Sequence, residues 1–156
     1  MAKTIIIRDA LKADHDFMLS LSPSLAEVAK LSWHAQQTVQ QMQNSYMLEM
    51  LNSAPTPNVT LIAELNGISI GFIHVCSHTD DISNEKCASV TLLAVSPNVR
   101  KMGVGQQLMQ SAEVWAKKQG YRLLHLEVFA NNSNAQQFYQ NLGFEPEMLS
   151  MIKPLS

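Results

Sequence analysis

The residues best suited to handle a phosphate lie in one stretch, VSPNVRKMGVGQQLM (Val95–Met109), where Arg100 and Lys101 precede Gly103 and Gly105. The stretch reads as the start of a helix, yet it breaks two preferences. The positive pole of a helix dipole favours acidic residues there, and glycine costs roughly 1 kcal/mol against alanine. An anionic ligand would account for both. The first turn of a helix leaves four backbone N–H groups unpaired. Glycines let a ligand approach them without a Cβ in the way. The forked guanidinium of Arg100 and the point charge of Lys101 complement phosphate oxygens. The run Arg100, Lys101, Met102, Gly103, Val104, Gly105 and Gln106 thus suits a pyrophosphate, with a glycine-rich turn and two solvated cations as the plainer alternative. Other phosphate motifs fit worse. No Gly-Lys-Ser/Thr closes a P-loop. GVGQQL lacks the third glycine of the dinucleotide fingerprint, and seven residues separate Gly103 from Val95.

The elements that would hold this stretch alternate between strand and helix. TIIIR (Thr4–Arg8) is a short β-branched run and the expected first strand. From Lys12 to about Ala54 the pattern is helical, broken at Pro23, and Val39, Met42, Tyr46 and Met50 recur at near-helical spacing. SAPTPN ends that helix. VTLIAELNGISIGFIHVCS predicts two strands joined at Asn66-Gly67, a strong hairpin signal. CASVTLLAV (Cys87–Val95) is the expected central strand. A helix should follow from Val104 to about Gln119, buried along Val104, Leu108, Ala112, Trp115 and Ala116 and capped by Gly120. RLLHLEVF predicts the next strand, NAQQFYQNL a short helix with Ala135, Phe138, Tyr139 and Leu142 on one face, and MLSMIKP a last strand. These elements predict one α+β domain over residues 1–156, with a mostly antiparallel sheet, flanking helices and a β-α-β unit in the second half.

Composition narrows the function classes. The 156 residues are 46% hydrophobic and 15% charged, ordinary for a globular chain with a core of its own. A net charge of −2 argues against a nucleic-acid binder working through a broad basic surface. Cys76 and Cys87 make no disulfide framework, so a reducing cytoplasm is the expected compartment. The N-terminal stretch MAKTIIIRDALKADHD has only three isoleucines before charges return, too few for a signal peptide or a membrane span.

Two motifs in order carry a family resemblance. Arg100, Gly103 and Gly105 match the form Arg/Gln-x-x-Gly-x-Gly/Ala. Asn132, Ala135, Tyr139, Gly143 and Phe144, within LEVFANNSNAQQFYQNLGF, match Asn-x-x-Ala-x-x-x-Tyr-x-x-x-Gly-Phe. The stretch from about Val90 to Phe144 resembles the GCN5-related N-acetyltransferase (GNAT) superfamily. The resemblance implies acetyl-CoA as donor, an amine of a small molecule or peptide as acceptor, and no metal. It implies that residues 87–146 form the acetyl-CoA core and residues 1–58 the acceptor side. It also implies a central strand splayed from its neighbour, with pantetheine along Leu93, Ala94 and Val95 and a Val95 N–H near the thioester oxygen. Residues from Met102 to Gln106 would hold the pyrophosphate. Asn132, Ala135 and Phe138 would line the cofactor arm, and Tyr139 would protonate the departing thiolate. The chain would act as a monomer or homodimer.

The chemistry sets unequal demands. An alkyl amine of pKa about 10.4 is only ~0.1% neutral near pH 7.4, a handicap of roughly 4 kcal/mol. A thiol of pKa about 8.5 needs only about 2 kcal/mol of help at pH 7. A base is therefore the larger requirement. The central strand reads Ser89-Val90-Thr91-Leu92-Leu93, with no carboxylate. Glu127 is the candidate, resembling the glutamate of enzymes that acetylate the N-terminal alanine of a ribosomal protein. A Leu-Glu-Val strand is also widespread in the superfamily whatever the acceptor.

Three further groups have plain readings. His74, Cys76, His78 and Cys87 could form a zinc site, but half-buried strand positions explain them more simply. Asp80, Asp81 and Glu85 could attract a cationic acceptor or merely be solvated. Met42, Met47 and Met50 could line an acceptor cleft or pack a core. Against a catalytic N-acetyltransferase stand a catalytically weak acyl-CoA-binding sensor and a nucleotide-binding interaction module.

Overall fold

The computed structural model describes residues 4–156. Residues 1–3, where the N-terminal stretch read for a leader begins, lie outside the described residues. Strands β1 (Ile5–Asp9), β2 (Asn58–Leu65), β3 (Ile68–Thr79), β4 (Lys86–Val95) and β5 (Leu124–Leu126) form one sheet in the order β1-β2-β3-β4-β5. The first three pairings are antiparallel and β4·β5 is parallel, as the predicted fold class requires. Asn66 and Gly67 both adopt positive φ, 54° and 76°, which closes the β2–β3 hairpin.

Helices cover both faces. On one side α4 (Val104–Lys118) and α5 (Ser133–Asn141) lie over a core that includes Ala63, Ile73, Val75, Ala88, Val90, Leu108, Met109 and Ala112. On the other, α1 (His15–Ser20), α2 (Ser22–Glu27) and α3 (Gln36–Ser53) bury Met18, Met47, Ile62, Phe72, Leu92 and Ala94. Helix α4 ends as expected: Gly120 turns at φ 81°, and Tyr121 N–H returns to the Ala116 carbonyl at 3.2 Å.

The break expected at Pro23 falls at Leu21, between α1 and α2, with Pro23 in the first turn of α2, where its missing N–H costs nothing; a longer gap follows at residues 28–35. The structure corrects four other expectations. The buried face of α3 is Val39, Gln43 and Met47, with Met42 exposed, because packing on the sheet rotates the helix by about one position. On α4, Met109 is buried where Trp115 was expected; Trp115 sits half-buried against Tyr121. The strand expected over RLLHLEVF keeps only Leu124–Leu126, which pair with β4, and MLSMIKP forms no strand, because the rest of the first segment and all of the second find no hydrogen-bonding neighbour among the described residues.

Candidate active site

Strand β4 changes character halfway along. Its ladder to β5 covers only Ala88↔Leu124, Ser89↔His125 and Val90↔Leu126. Its ladder to β3 continues through Leu93↔Ile73, Ala94↔Phe72 and Val95↔Gly71. Between the halves Thr91 is an extra residue, since Val75 faces Val90 while His74 faces Leu92. Such a bulge reverses which side of the strand each later backbone group faces. Hydrogen bonds record the reversal. Ala88 N–H points to the Leu123 carbonyl on the β5 side, at 3.1 Å, whereas Ser96 N–H points to Ile70 on the β3 side, at 2.8 Å. The interval is even, so a regular strand would send both the same way. Side chains agree: Ala88 and Val90 share the α4 core with Leu93 and Val95. Past the bulge the N–H groups of Leu93 and Val95 consequently face the gap beside β5.

Two residues that sequence reasoning did not connect pin this bulge. His74 Nδ1 lies 2.5 Å from Thr91 Oγ1, and the Thr91 hydroxyl also donates to the His74 carbonyl at 3.3 Å. His74 is buried, and desolvation pushes its pKa down to about 4, so the ring is neutral at physiological pH. The available signal was a histidine inside an apolar run, FIHV, opposite the single threonine of SVTLLAV.

The helix start beside the gap is held by close approach. A Cβ on Gly71 would meet the Ala94 carbonyl at 3.0 Å and Val104 at 3.3 Å, so only glycine lets α4 seat on the end of β3 and β4. Gly103 precedes α4 at φ 78° and Lys101 at φ 74°, and no side chain caps the helix. The first N–H groups of α4 therefore face outward, beside exposed Arg100, Lys101, Met102 and Gln106, while Val104 anchors the turn in the core. Gly105 has a packing job in addition to the one expected. A Cβ there would meet the Phe138 ring at 3.3 Å, so Gly105 lets α4 and α5 close on each other. A side chain at that position would disturb packing before it met any phosphate.

Helix α5 brings the second motif to the same place. Asn132 caps it, Oδ1 accepting from Ala135 N–H at 3.3 Å. This uses the side-chain oxygen and leaves the amide nitrogen without a partner among the described residues. Arg100, Asn132 and the start of α5 line an open cleft of about 270 Å³, also lined by Ser24 and Glu27 of α2 and by Val28 just beyond it. A larger hollow of about 510 Å³ over the outer face of α4 is lined by Ile7, Gln107, Gln110, Ser111 and Val114, with no titratable group. The cleft, and not the hollow, joins the two motifs.

Tyr139 sits edge-on to Phe138 and Phe144, with ring centroids 5.4 and 5.7 Å away, and packs on the core that holds Leu93 and Val95. Desolvation raises its pKa, so the hydroxyl stays protonated. Glu127 lies just past the last paired residue of β5, exposed and without an ion pair among the described residues. Across the gap, Tyr46 of α3 feels its charge: burial raises the phenol first, then Cys76, Glu127 and Glu49. The remaining candidates stay apart. Cys76 and Cys87 are buried free thiols, with pKa raised by desolvation. The described residues contain no group of three or more metal-ligating side chains. Asp80 accepts from Ser83 within its own turn, and Glu85 pairs with Arg122, which ties the acidic loop to the segment just before β5.

A strand with a half-open edge, an uncapped helix start and a second helix capped at the same cleft thus lie together. A family model described as the acetyltransferase (GNAT) family matches residues 24–144, and the chain belongs to that family. Among relatives, an uncharacterized N-acetyltransferase of Methanocaldococcus jannaschii is 35% identical over 85 residues, covering 54% of this chain and 38% of that one. The aminoglycoside N(6′)-acetyltransferase type 1 of Salmonella typhimurium is 29% identical over 89 residues, covering 55% and 61%. The chain thus spans 38% to 61% of the length of these curated relatives. An aminoglycoside N-acetyltransferase solved in complex with CoA superposes at TM-score 0.72 and 20% identity over 99% of this chain and 97% of that one. No helix among the described residues is long and apolar enough to cross a membrane.

Proposed function

We propose that the chain is an N-acetyltransferase that passes an acetyl group from acetyl-CoA to a primary amine by direct attack in a ternary complex. The carrying observation is the unpaired edge of β4 at Leu93–Val95, opening beside the uncapped start of α4. Bound acetyl-CoA supplies the thioester carbonyl and a thiolate leaving group. In this reading residues 87–146 hold the donor, with Arg100 to Gln106 on the pyrophosphate and Asn132, Ala135 and Phe138 along the arm. Residues 1–58 shape the acceptor side. Val95 N–H donates to the oxygen that gains charge. Tyr139, kept protonated by burial, returns a proton to the leaving sulfur. Glu127 takes the amine's proton through water. The aminoglycoside relatives favour a small polyamine-bearing acceptor over a macromolecular one. Two buried free thiols fit a reducing compartment.

The test is CoA release from acetyl-CoA over a panel of aminoglycosides, polyamines and peptides, beside calorimetric binding of acetyl-CoA. Release with at least one amine is the expected result. Tight binding with no release from any amine would leave an acyl-CoA sensor, and absence of binding would remove the donor assignment. Glu127→Gln should lower kcat/KM by about 10-fold or more, with acetyl-CoA affinity unchanged. A wild-type kcat/KM would leave Glu127 outside the chemistry.

A further inference from the structure

Strand β5 is the shortest of the sheet, three residues paired with β4 alone, and Glu127 follows directly from it. One side chain fastens this strand sideways. His125 Nδ1 lies 3.0 Å from the hydroxyl of Ser89, its register partner on β4. The same ring stacks on His78 of β3, with centroids 4.6 Å apart and planes 17° from parallel. Strands β3 and β5 flank β4 and run roughly 10 Å apart, so the two rings meet over the strand between them. Cys87 is the register partner of His78 as Ser89 is of His125, and both are buried. The two histidines, half-buried themselves, roof that end of β4, and no step of the proposed transfer uses them.

We propose that the stacked His78–His125 pair is a proton-sensitive clamp, which holds β5 against β4 and thereby sets the position of Glu127. A histidine ring takes up its proton as pH falls from about 8 to about 5. One charge can stay within a stack; a charge on each ring would put two cations face to face. As pH falls the rings should part, and β5 then keeps only its short backbone ladder. The surroundings offer little to hold two charged rings together. No ion pair joins either ring to a carboxylate among the described residues. On β3 and β4 the neighbouring titratable groups are Cys76 and Cys87, kept as neutral thiols by burial. In the loop beyond His78, Asp80 is engaged by Ser83, Glu85 by Arg122 and Lys86 by Thr79, which leaves Asp81, an exposed residue. From α3, Tyr46 and Glu49 approach the same side, since Tyr46 senses Cys76, Glu127 and Glu49. Glu127, two residues on from His125, offsets one charge at most. His78 and His125 are positioning residues in this scheme: they act on the amine's proton only through Glu127.

The effect on activity rests on the reading of Glu127 as base; the clamp itself does not, so the two are tested apart. His78→Phe keeps an aromatic face and removes the charge, and His78→Tyr takes its place should the first variant not fold. Labelling of Cys87 by dithiodipyridine, located by mass spectrometry, should be alike in wild type and variant at about pH 8. At about pH 5.5 it should be about fivefold or more faster in the wild type. Equal labelling at both pH values, in chains that circular dichroism shows to be folded, would overturn the clamp. The ratio of variant to wild-type kcat/KM cancels the acceptor's own titration, and should rise about fivefold or more over the same range. His125→Ala, which removes both the hydrogen bond and the stack, should lower kcat/KM by about 10- to 100-fold with acetyl-CoA affinity unchanged. A flat ratio in enzymes that turn over would overturn the positioning role. A wild type that releases no CoA with any amine would instead count against Glu127 as base, with the labelling still deciding the clamp.

Discussion

The two halves of β4 are continuous in sequence and opposite in purpose. From Ala88 to Val90 the strand has neighbours on both sides; from Leu93 to Val95 it has one. Ala88-Ser89-Val90 and Leu93-Ala94-Val95 each end on one valine and carry no charge, so composition does not separate them. The divider is one surplus residue, Thr91, which reverses the facing of every backbone group after it. In the first half the outward N–H groups are spent on β5. In the second they point into a gap. A binding edge has been made from an ordinary central strand by withholding a neighbour, and the buried His74–Thr91 pair holds the point of departure.

The sharpest way to break this comparison is a proline in each half. Val95→Pro removes a backbone donor that serves no ladder bond, so the fold should persist. If that donor stabilises the developing oxyanion, kcat should fall by about 10²–10³-fold, or roughly 3–4 kcal/mol. Val90→Pro instead deletes a donor on the β5 side and should impair folding itself. A Val95→Pro enzyme with wild-type kcat would deprive the open edge of its role.

Acid titration addresses the divider. His74 in the folded protein has its pKa at about 4, below the unfolded value near 6.5. Between those values the unfolded chain binds more protons. The native state should therefore keep its full stability above about pH 6.5 and lose about 3 kcal/mol as pH falls to about 4. Unfolding free energy measured against pH should show this slope, and His74→Gln should flatten it. An unchanged slope in that variant would assign the loss to other groups. Asp14 is not one of them: hydrogen bonds from Arg8 lower its pKa, so its contribution is lost only at still lower pH.

The smallest expected effect lies across the gap, at Tyr139. Tyr139→Phe keeps the ring edge-on to Phe138 and Phe144 and removes only the hydroxyl. A thiolate needs little help to leave, so kcat should drop by about 10- to 300-fold. Affinity for acetyl-CoA should change less than about threefold. Full activity under chemistry-limited conditions would reduce Tyr139 to packing.

Sequence alone determined whatever depends on local spacing. The Asn66-Gly67 hairpin, the α4 stripe from Val104 to Ala116, its Gly120 cap and the two motifs around Arg100 and Asn132 follow from residue type and period, which act within a turn or two of chain. Only the tertiary structure decided matters that depend on a distant neighbour. Whether RLLHLEVF becomes eight residues of strand or three depends on where β4 leaves it. The surplus residue at Thr91 is visible only against the register of β3, and the work of Gly105 only against Phe138, more than thirty positions on. MLSMIKP has the composition of a strand, but a strand is completed by a partner's hydrogen bonds, and no local pattern can state where that partner is.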